Sequence, residues 1–221
     1  MIDFFKLNEH LSSDEKKTRD NVNTFVRSSV IPIIVDCFEQ QRFPKELIPE
    51  FAKLGVFGST IKGYGCAGVN ATTYGLMLQE IERADSGLRS FVSVQGALCM
   101  YPISAYASED LKKKYLPEMA QGKLIGCFGL TEPDFGSNPA GMVTNVRKEG
   151  DKYILNGHKR WLTNGGIADL IIVWAKDEAG KVNGFIVNKD LPGITVKTLE
   201  KRMSLRASVS SEIIFKDVPV P

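Results

Sequence analysis

Residues 128–137 read Phe-Gly-Leu-Thr-Glu-Pro-Asp-Phe-Gly-Ser. The stretch carries an aromatic ring at Phe128, hydroxyls at Thr131 and Ser137, and backbone N–H groups around Gly136, a set suited to a flat polar ring and a phosphate. The apolar run Leu124-Ile125-Gly126-Cys127-Phe128 leads into it as a short strand. Thr131-Glu132-Pro133 and the Gly-Ser-Asn-Pro run that follows cannot extend that strand. On residue types alone, an ordinary strand-to-turn segment is the simpler account.

Arg89-Ser90 is the second constellation. It follows the helix break Asp85-Ser86-Gly87 and opens a helix whose next positions, Phe91, Val92 and Val94, are apolar. A guanidinium entering apolar surroundings needs an anion, and Arg suits a carboxylate because it can bind both oxygens. That anion is either an internal acid such as Glu82 or a ligand carboxylate. Trp161, at the end of a strand, packs in the core or faces a ring system, with core packing the simpler expectation. His158 is expected to be exposed beside a turn. Neither His10 nor His158 sits in a nucleophile triad, and no Gly-x-Ser-x-Gly elbow is present.

Gly63-Tyr64-Gly65-Cys66-Ala67-Gly68 matches the dinucleotide pattern G-x-G-x-x-G. That chemistry requires a βαβ unit, and helix-like sequence continues from here to Ala120, so a glycine-rich turn between helices is expected instead. Four cysteines without Cys-x-x-Cys spacing and only two histidines argue against structural zinc, and no metal site is expected. A net charge of +2 argues against nucleic acid or an anionic membrane as partner. The absence of a disulfide-like framework points to a reducing compartment, and no apolar stretch is long enough for membrane insertion.

The elements that must position these residues fall into two halves. Helical spacing predicts helices at Ser12 to about Ile33, with Pro32 bending or ending it, then Pro44–Leu54, Tyr74–Ile81, about Arg89–Tyr106 and Ser108–Ala120. Beyond Gly122 the period becomes two. Asn156-Gly157 predicts a tight hairpin between Tyr153–Leu155 and Lys159–Trp161. Further strands are expected at 170–175, 182–187, 194–199 and 212–215. The fold class is therefore α+β: an all-α domain at residues 1–122, then an antiparallel β-barrel or sandwich domain at residues 123–221.

Four segments together resemble the acyl-CoA dehydrogenase family, and within it the glutaryl-CoA dehydrogenases: residues 61–68, Asp85 to Ser90, Gly126 to Pro133 and Trp161 to Asn164. The resemblance runs from about residue 12 to the end. It implies a helical domain, a middle β domain and a C-terminal four-helix domain, of which the first two match this sequence. It implies FAD as cofactor, held by Phe128, Gly129, Leu130, Thr131, Gly136, Ser137, Trp161, Leu162 and Thr163. It further implies an acyl-CoA substrate, with Arg89 and Ser90 on the distal carboxylate of glutaryl-CoA and Ser137 near flavin and acyl-CoA. The implied reaction is α,β-dehydrogenation with decarboxylation, electrons leaving to an electron-transfer flavoprotein from a homotetramer in the mitochondrial matrix or a bacterial cytoplasm.

Two positions depart from the family pattern: Asn138 stands where Asp is common, and Phe135 where smaller or polar residues are usual. The family's glutamate base belongs to its third domain, so no catalytic residue is assigned here. The 221 residues alone are expected to be inactive and to bind FAD weakly or not at all. A short-chain oxidase or dehydrogenase of the same superfamily, or a non-catalytic binding remnant, are the alternative readings.

Overall fold

The computed structural model describes residues 4–220. Its first half is helical. Helix α1 (Ser13–Phe25) starts in a reciprocal capping box, with Glu15 N–H donating to Ser12 Oγ at 3.2 Å and Ser12 N–H to Glu15 Oε2 at 2.8 Å. Pro32 neither ends the helix nor breaks it. The chain widens into a π-helical stretch at Val26–Val30 and continues as α2 (Ile31–Glu39) with the proline in its first turn. A second π-helical stretch, Val94–Met100, likewise precedes Tyr101-Pro102 at the start of α6 (Tyr101–Tyr106). Widening the turn relieves the clash and the missing N–H that proline brings to a helix interior.

Between these lie α3 (Ile48–Lys53), α4 (Ala71–Glu82) and α5 (Ser86–Ser93), and α7 (Glu109–Ala120) closes the helical half. Asn70, Asp85 and Ser108 cap α4, α5 and α7 through side-chain oxygens. The glycine-rich segment 63–68 is a turn-rich link between α3 and α4, with no strand before it. The core of this half is aromatic. Phe57 stands edge-on to Phe91 at 5.6 Å between centroids, and Phe51 is 6.4 Å from Phe57. Burying each such ring contributes on the order of 1.5–3 kcal/mol.

The second half is one seven-stranded sheet: β1 (Gly126–Gly129), β2 (Asn145–Glu149), β3 (Lys152–Thr163), β4 (Leu170–Lys176), β5 (Val182–Asn188), β6 (Ile194–Thr198) and β7 (Ser210–Val220). Their order is β1-β4-β2-β3-β7-β6, with β5 on β4. The antiparallel pairings are β2–β3, β3–β7, β4–β5 and β6–β7. The sheet is mixed, because β4 pairs parallel to both β1 and β2.

The hairpin expected at Asn156-Gly157 does not form. Both residues lie inside β3, and the β2–β3 turn falls instead at Gly150, whose φ is +60°. Tertiary contacts override the dipeptide. A Cβ on Gly157 would sit 2.3 Å from Thr144 Oγ1, and Asn156 Oδ1 accepts from Asp217 N–H at 2.9 Å where the β3–β7 register shifts. His158 is accordingly mid-strand and half-buried, 3.8 Å from Glu212. The strand β2 was not expected, since only Val146 of its five residues is buried.

Buried polar side chains join the two halves. Gln95, fully buried in the second π-helical stretch, donates to Met119 O at 3.2 Å and Leu124 O at 2.8 Å and accepts from Gly126 N–H at 2.8 Å. Within the β half, the exposed Asp169 accepts through Oδ2 from Ile125 N–H at 2.7 Å. Both contacts fix where β1 starts.

Candidate functional site

The two segments proposed to face one ring system come together although β1 and β3 are not neighbours in the sheet. β1 delivers Phe128 and Gly129, then runs into Leu130 and Thr131, while β3 delivers Trp161, Leu162 and Thr163. They are laced together past the end of β1. Arg160 N–H donates to Thr131 O at 2.9 Å, and Lys159 Nζ to Leu130 O at 2.9 Å. Gly129 faces Leu162 and Lys159, and a Cβ there would lie in ordinary contact with Leu162 Cδ2 at 3.4 Å and Lys159 Cγ at 3.5 Å.

Trp161 does not pack in the core. It is 57% exposed, with φ at +64°, in the register shift between Lys159 and Leu162 on β3. The irregularity turns the indole outward, where its protein neighbour is the Arg160 guanidinium at 5.0 Å. Leu162 faces the opposite way, buried in the sheet's core, so its backbone alone is left for a ligand. Phe128 is half-buried and meets Trp174 edge-on at 6.1 Å.

The loop beyond Thr131 is tied down by its ends. Glu132 accepts from Val143 N–H at 2.8 Å and Thr144 N–H at 2.9 Å, and its Oε1 is 2.9 Å from Lys159 Nζ. Both side chains of this ion pair are buried. Burial pushes the Glu132 carboxyl up, but contacts from Thr144, Val143 and Lys159 outweigh it and hold it below the usual carboxylate range. The same burial pulls the Lys159 ammonium down, against the opposing pull of Glu132. A carboxylate so committed is not available as a base.

Within that loop Gly136 and Ser137 are exposed, and nothing lies within 4 Å of where a Cβ on Gly136 would be. Phe135 covers Gly141, where an added Cβ would fall 2.4 Å from its ring, so the bulky residue packs inside the loop and leaves the donors outside.

Arg89 and Ser90 lie on α5, both half-exposed. Arg89 Nε is 2.7 Å from Glu82 Oε2, and Nη1 is 3.5 Å from Ser93 Oγ. The internal partner considered for Arg89 is thus present. Glu82 is itself held by the Ser86 hydroxyl, and Ser86 then Arg89 lower its pKa. Arg89 Nη2 has no partner among the described residues, so one edge of the guanidinium is open to a further anion.

Asn164 connects α5 to the sheet edge. It is buried at φ +72°, and its Nδ2 donates to Gly126 O at 3.2 Å and Phe91 O at 3.5 Å. Helix α5, β1 and the end of β3 therefore meet at one carboxamide. Sequence reasoning assigned no role to Asn164, Gln95, Glu132 or Lys159. The signal for Lys159 was present: period two from Leu155 through Gly157 places it on an inward position.

A crevice of about 680 Å³ between α6–α7 and β4–β5 contains none of the residues expected at the site. Its lining, including Tyr106, Tyr115, Trp174 and Phe185, carries no charge, and it borders the site through Trp174, edge-on to Phe128, and Ile172, the strand partner of Phe128. No group of side chains among the described residues is arranged to hold a metal ion, and no helix among them is long and apolar enough to cross a membrane.

Comparison with known proteins matches residues 12–123 to the acyl-CoA dehydrogenase N-terminal domain and residues 127–218 to the acyl-CoA dehydrogenase middle domain. A glutaryl-CoA dehydrogenase of Desulfococcus multivorans is 34% identical over 221 residues, covering 96% of this chain and 57% of its own. A short-chain-specific acyl-CoA dehydrogenase of Clostridium acetobutylicum is 32% identical over 217 residues, with 96% and 57% covered. The crystal structure of a glutaryl-CoA dehydrogenase from Mycobacterium smegmatis in complex with FADH2 superposes with a TM-score of 0.96 at 49% identity, over 98% of this chain and 56% of that one. The chain spans a little over half the length of these relatives.

Proposed function

Because the chain belongs to the acyl-CoA dehydrogenase family, we propose that it forms the flavin-facing and carboxylate-facing parts of a glutaryl-CoA dehydrogenase. The observation that carries this is the outward-turned Trp161 beside Thr131 and Thr163, on the sheet edge that Asn164 ties to the helix bearing Arg89. The donor set fits FAD. The hydroxyls of Thr131, Thr163 and Ser137 and the amides of Gly136 and Ser137 have no partner among the described residues, and Trp161 offers an exposed aromatic face. Phe128, Gly129, Leu130 and Leu162 shape the edge from which those donors project. When bound, FAD supplies a hydride acceptor for the β-carbon of an acyl-CoA thioester.

The chain's own residues bind and orient. The open edge of Arg89, aligned from behind by Glu82, takes the distal carboxylate of glutaryl-CoA, with the Ser90 hydroxyl beside it. Ser137 lies on the loop between flavin and thioester. Removal of the α-proton needs a free carboxylate, and Glu82 and Glu132 are both committed, to Arg89 and Lys159. The base is therefore assigned to none of these residues, and turnover, electron-transfer flavoprotein as acceptor and tetramer formation belong to the whole enzyme. The helical residues 1–122 and the β residues 123–221 are the two domains in this reading; the sheet has a core of its own, while Ile125, Leu170, Ile172 and Ala207 pack into the helical core.

The test is a calorimetric comparison of glutaryl-CoA and butyryl-CoA binding to the FAD-loaded protein, with Arg89→Ala as the variant. Glutaryl-CoA should bind tighter, and the variant should lose that preference by at least about tenfold, the scale of a charge-assisted bidentate pair. Equal affinity for the two thioesters in the unaltered protein would refute the carboxylate assignment and favour a short-chain substrate.

A further inference from the structure

Lys159 and Glu132 form a buried ion pair for which the flavin reading has no use. A buried ion pair is a poor source of net stability, because desolvation offsets the attraction, whereas it does impose direction on whatever it bonds. Here the bonded groups all border the site. Lys159 Nζ reaches Leu130 O and Glu132 Oε1, each at 2.9 Å, and the same carboxylate takes Val143 N–H and Thr144 N–H at 2.8 and 2.9 Å. One carboxylate thereby closes the loop that carries Gly136 and Ser137.

The ammonium sits at a second decisive point. Lys159, opposite Ile213, is the last residue of β3 in register before the irregularity, and pairing resumes at Leu162, opposite Ser211. Trp161 stands out of the sheet between these two, with Leu162 packed over Gly129. We propose that Glu132 and Lys159 are positioning residues of the flavin site: without touching the ligand, they set the spacing between the Leu130–Thr131 edge and Trp161 and hold the 132–144 loop against both. This rests on the flavin reading given above, and its structural half can be measured without any flavin.

The 221-residue chain labelled with 5-fluorotryptophan gives two 19F resonances, from Trp161 and Trp174, assigned with Trp161→Phe. Glu132→Gln, Lys159→Met and the double variant are compared with the parent, together with amide exchange at Val143 and Thr144. Each single change should shift the Trp161 resonance while Trp174 stays in place, and in Glu132→Gln, where one of the two accepting oxygens becomes an NH2 donor, exchange at one of the two amides should rise roughly ten- to hundredfold. The double variant removes both charges, so its urea midpoint should return toward the parent's while Trp161 remains displaced. Recovery of the Trp161 resonance along with the midpoint, or equal movement of Trp174, would reduce the pair to a stability element and overturn the proposal.

Flavin forms a separate arm. FAD should quench Trp161 fluorescence in the parent and bind the double variant at least about tenfold more weakly, the scale set by misplacing hydrogen-bond donors. Equal quenching in both would refute the positioning role even if the loop moves. No quenching in the parent would instead refute flavin binding by this chain and leave the 19F result to decide the geometry.

Discussion

Replacing Gln95 with methionine should destabilise the protein by about 2–4 kcal/mol, although the two side chains are close in length and the position is fully buried. The structure shows where the loss arises. Met119 O keeps a partner, since Gly122 N–H also donates to it at 3.1 Å. Leu124 O and Gly126 N–H lose their bonds to the carboxamide, of 2.8 Å each, the first part-buried and the second buried. Two orphaned backbone groups cost about 1–3 kcal/mol apiece, and the better burial of a thioether offsets part of that. Urea unfolding followed by tryptophan fluorescence measures the difference, with an unchanged m-value showing that the end states are the same. A loss under about 1 kcal/mol would mean that the helical and β halves are joined by apolar packing, with the carboxamide a bystander.

Three further outcomes follow from the same geometry. Because its folded-state pKa lies below its unfolded value, Glu132 contributes stability that is present above the ordinary carboxylate range, near 4, and lost as pH falls through the folded value; the urea-midpoint gap between the parent and Glu132→Gln should be constant from pH 7 to about 5 and shrink below that, and a gap that widens in acid would contradict it. Burial raises all four thiols, Cys66 to about 11 and Cys127 to about 12, so iodoacetamide at pH 8 should label the native chain far more slowly than the urea-unfolded one, and rapid native labelling of any cysteine would contradict the packing around it. Gly157→Ala places a methyl 2.3 Å from Thr144 Oγ1 and should lower stability by about 1–3 kcal/mol, some 2–4 °C of melting temperature for each kcal/mol, whereas an unchanged melt would show that Thr144 moves aside freely.

The helical half was legible because its signals are local. Capping residues, prolines and a 3.6-residue apolar period located the long helices, although Asp85-Ser86-Gly87 reads as a break ahead of Arg89, whereas Asp85 caps α5 and Ser86-Gly87 form its first turn. What failed in the β half depends on partners distant in sequence. Asn156-Gly157 reads as a turn until Thr144 and Asp217 are brought against it. Parallel pairing of β1 with β4 has no period of its own, and the charged β2 shows one apolar residue. Core packing is the simpler expectation for an indole at a strand end, and the register shift that turns Trp161 outward comes from pairing with β7, a partner distant in sequence. The Arg89 pair was legible as a need for an anion, though the same need is met by Glu82.

The polar joints also explain why the segments of the site need one another. Apolar packing across the two halves would tolerate sliding by a fraction of a residue, since dispersion is not directional. Gln95, Asn164 and Asp169 each bond backbone groups at Ile125 or Gly126, at the start of the strand that carries Phe128. A slip of one residue there would invert every side chain of β1 and break all three contacts. The position of Phe128 relative to Arg89 is thus specified by hydrogen bonds that are satisfied only together. Among these groups Asn164 has the widest reach, because one carboxamide bonds both Phe91 O on α5 and Gly126 O on β1. Substitutions there should disturb Arg89 and Trp161 jointly, whereas changes at Glu82 should act on Arg89 alone.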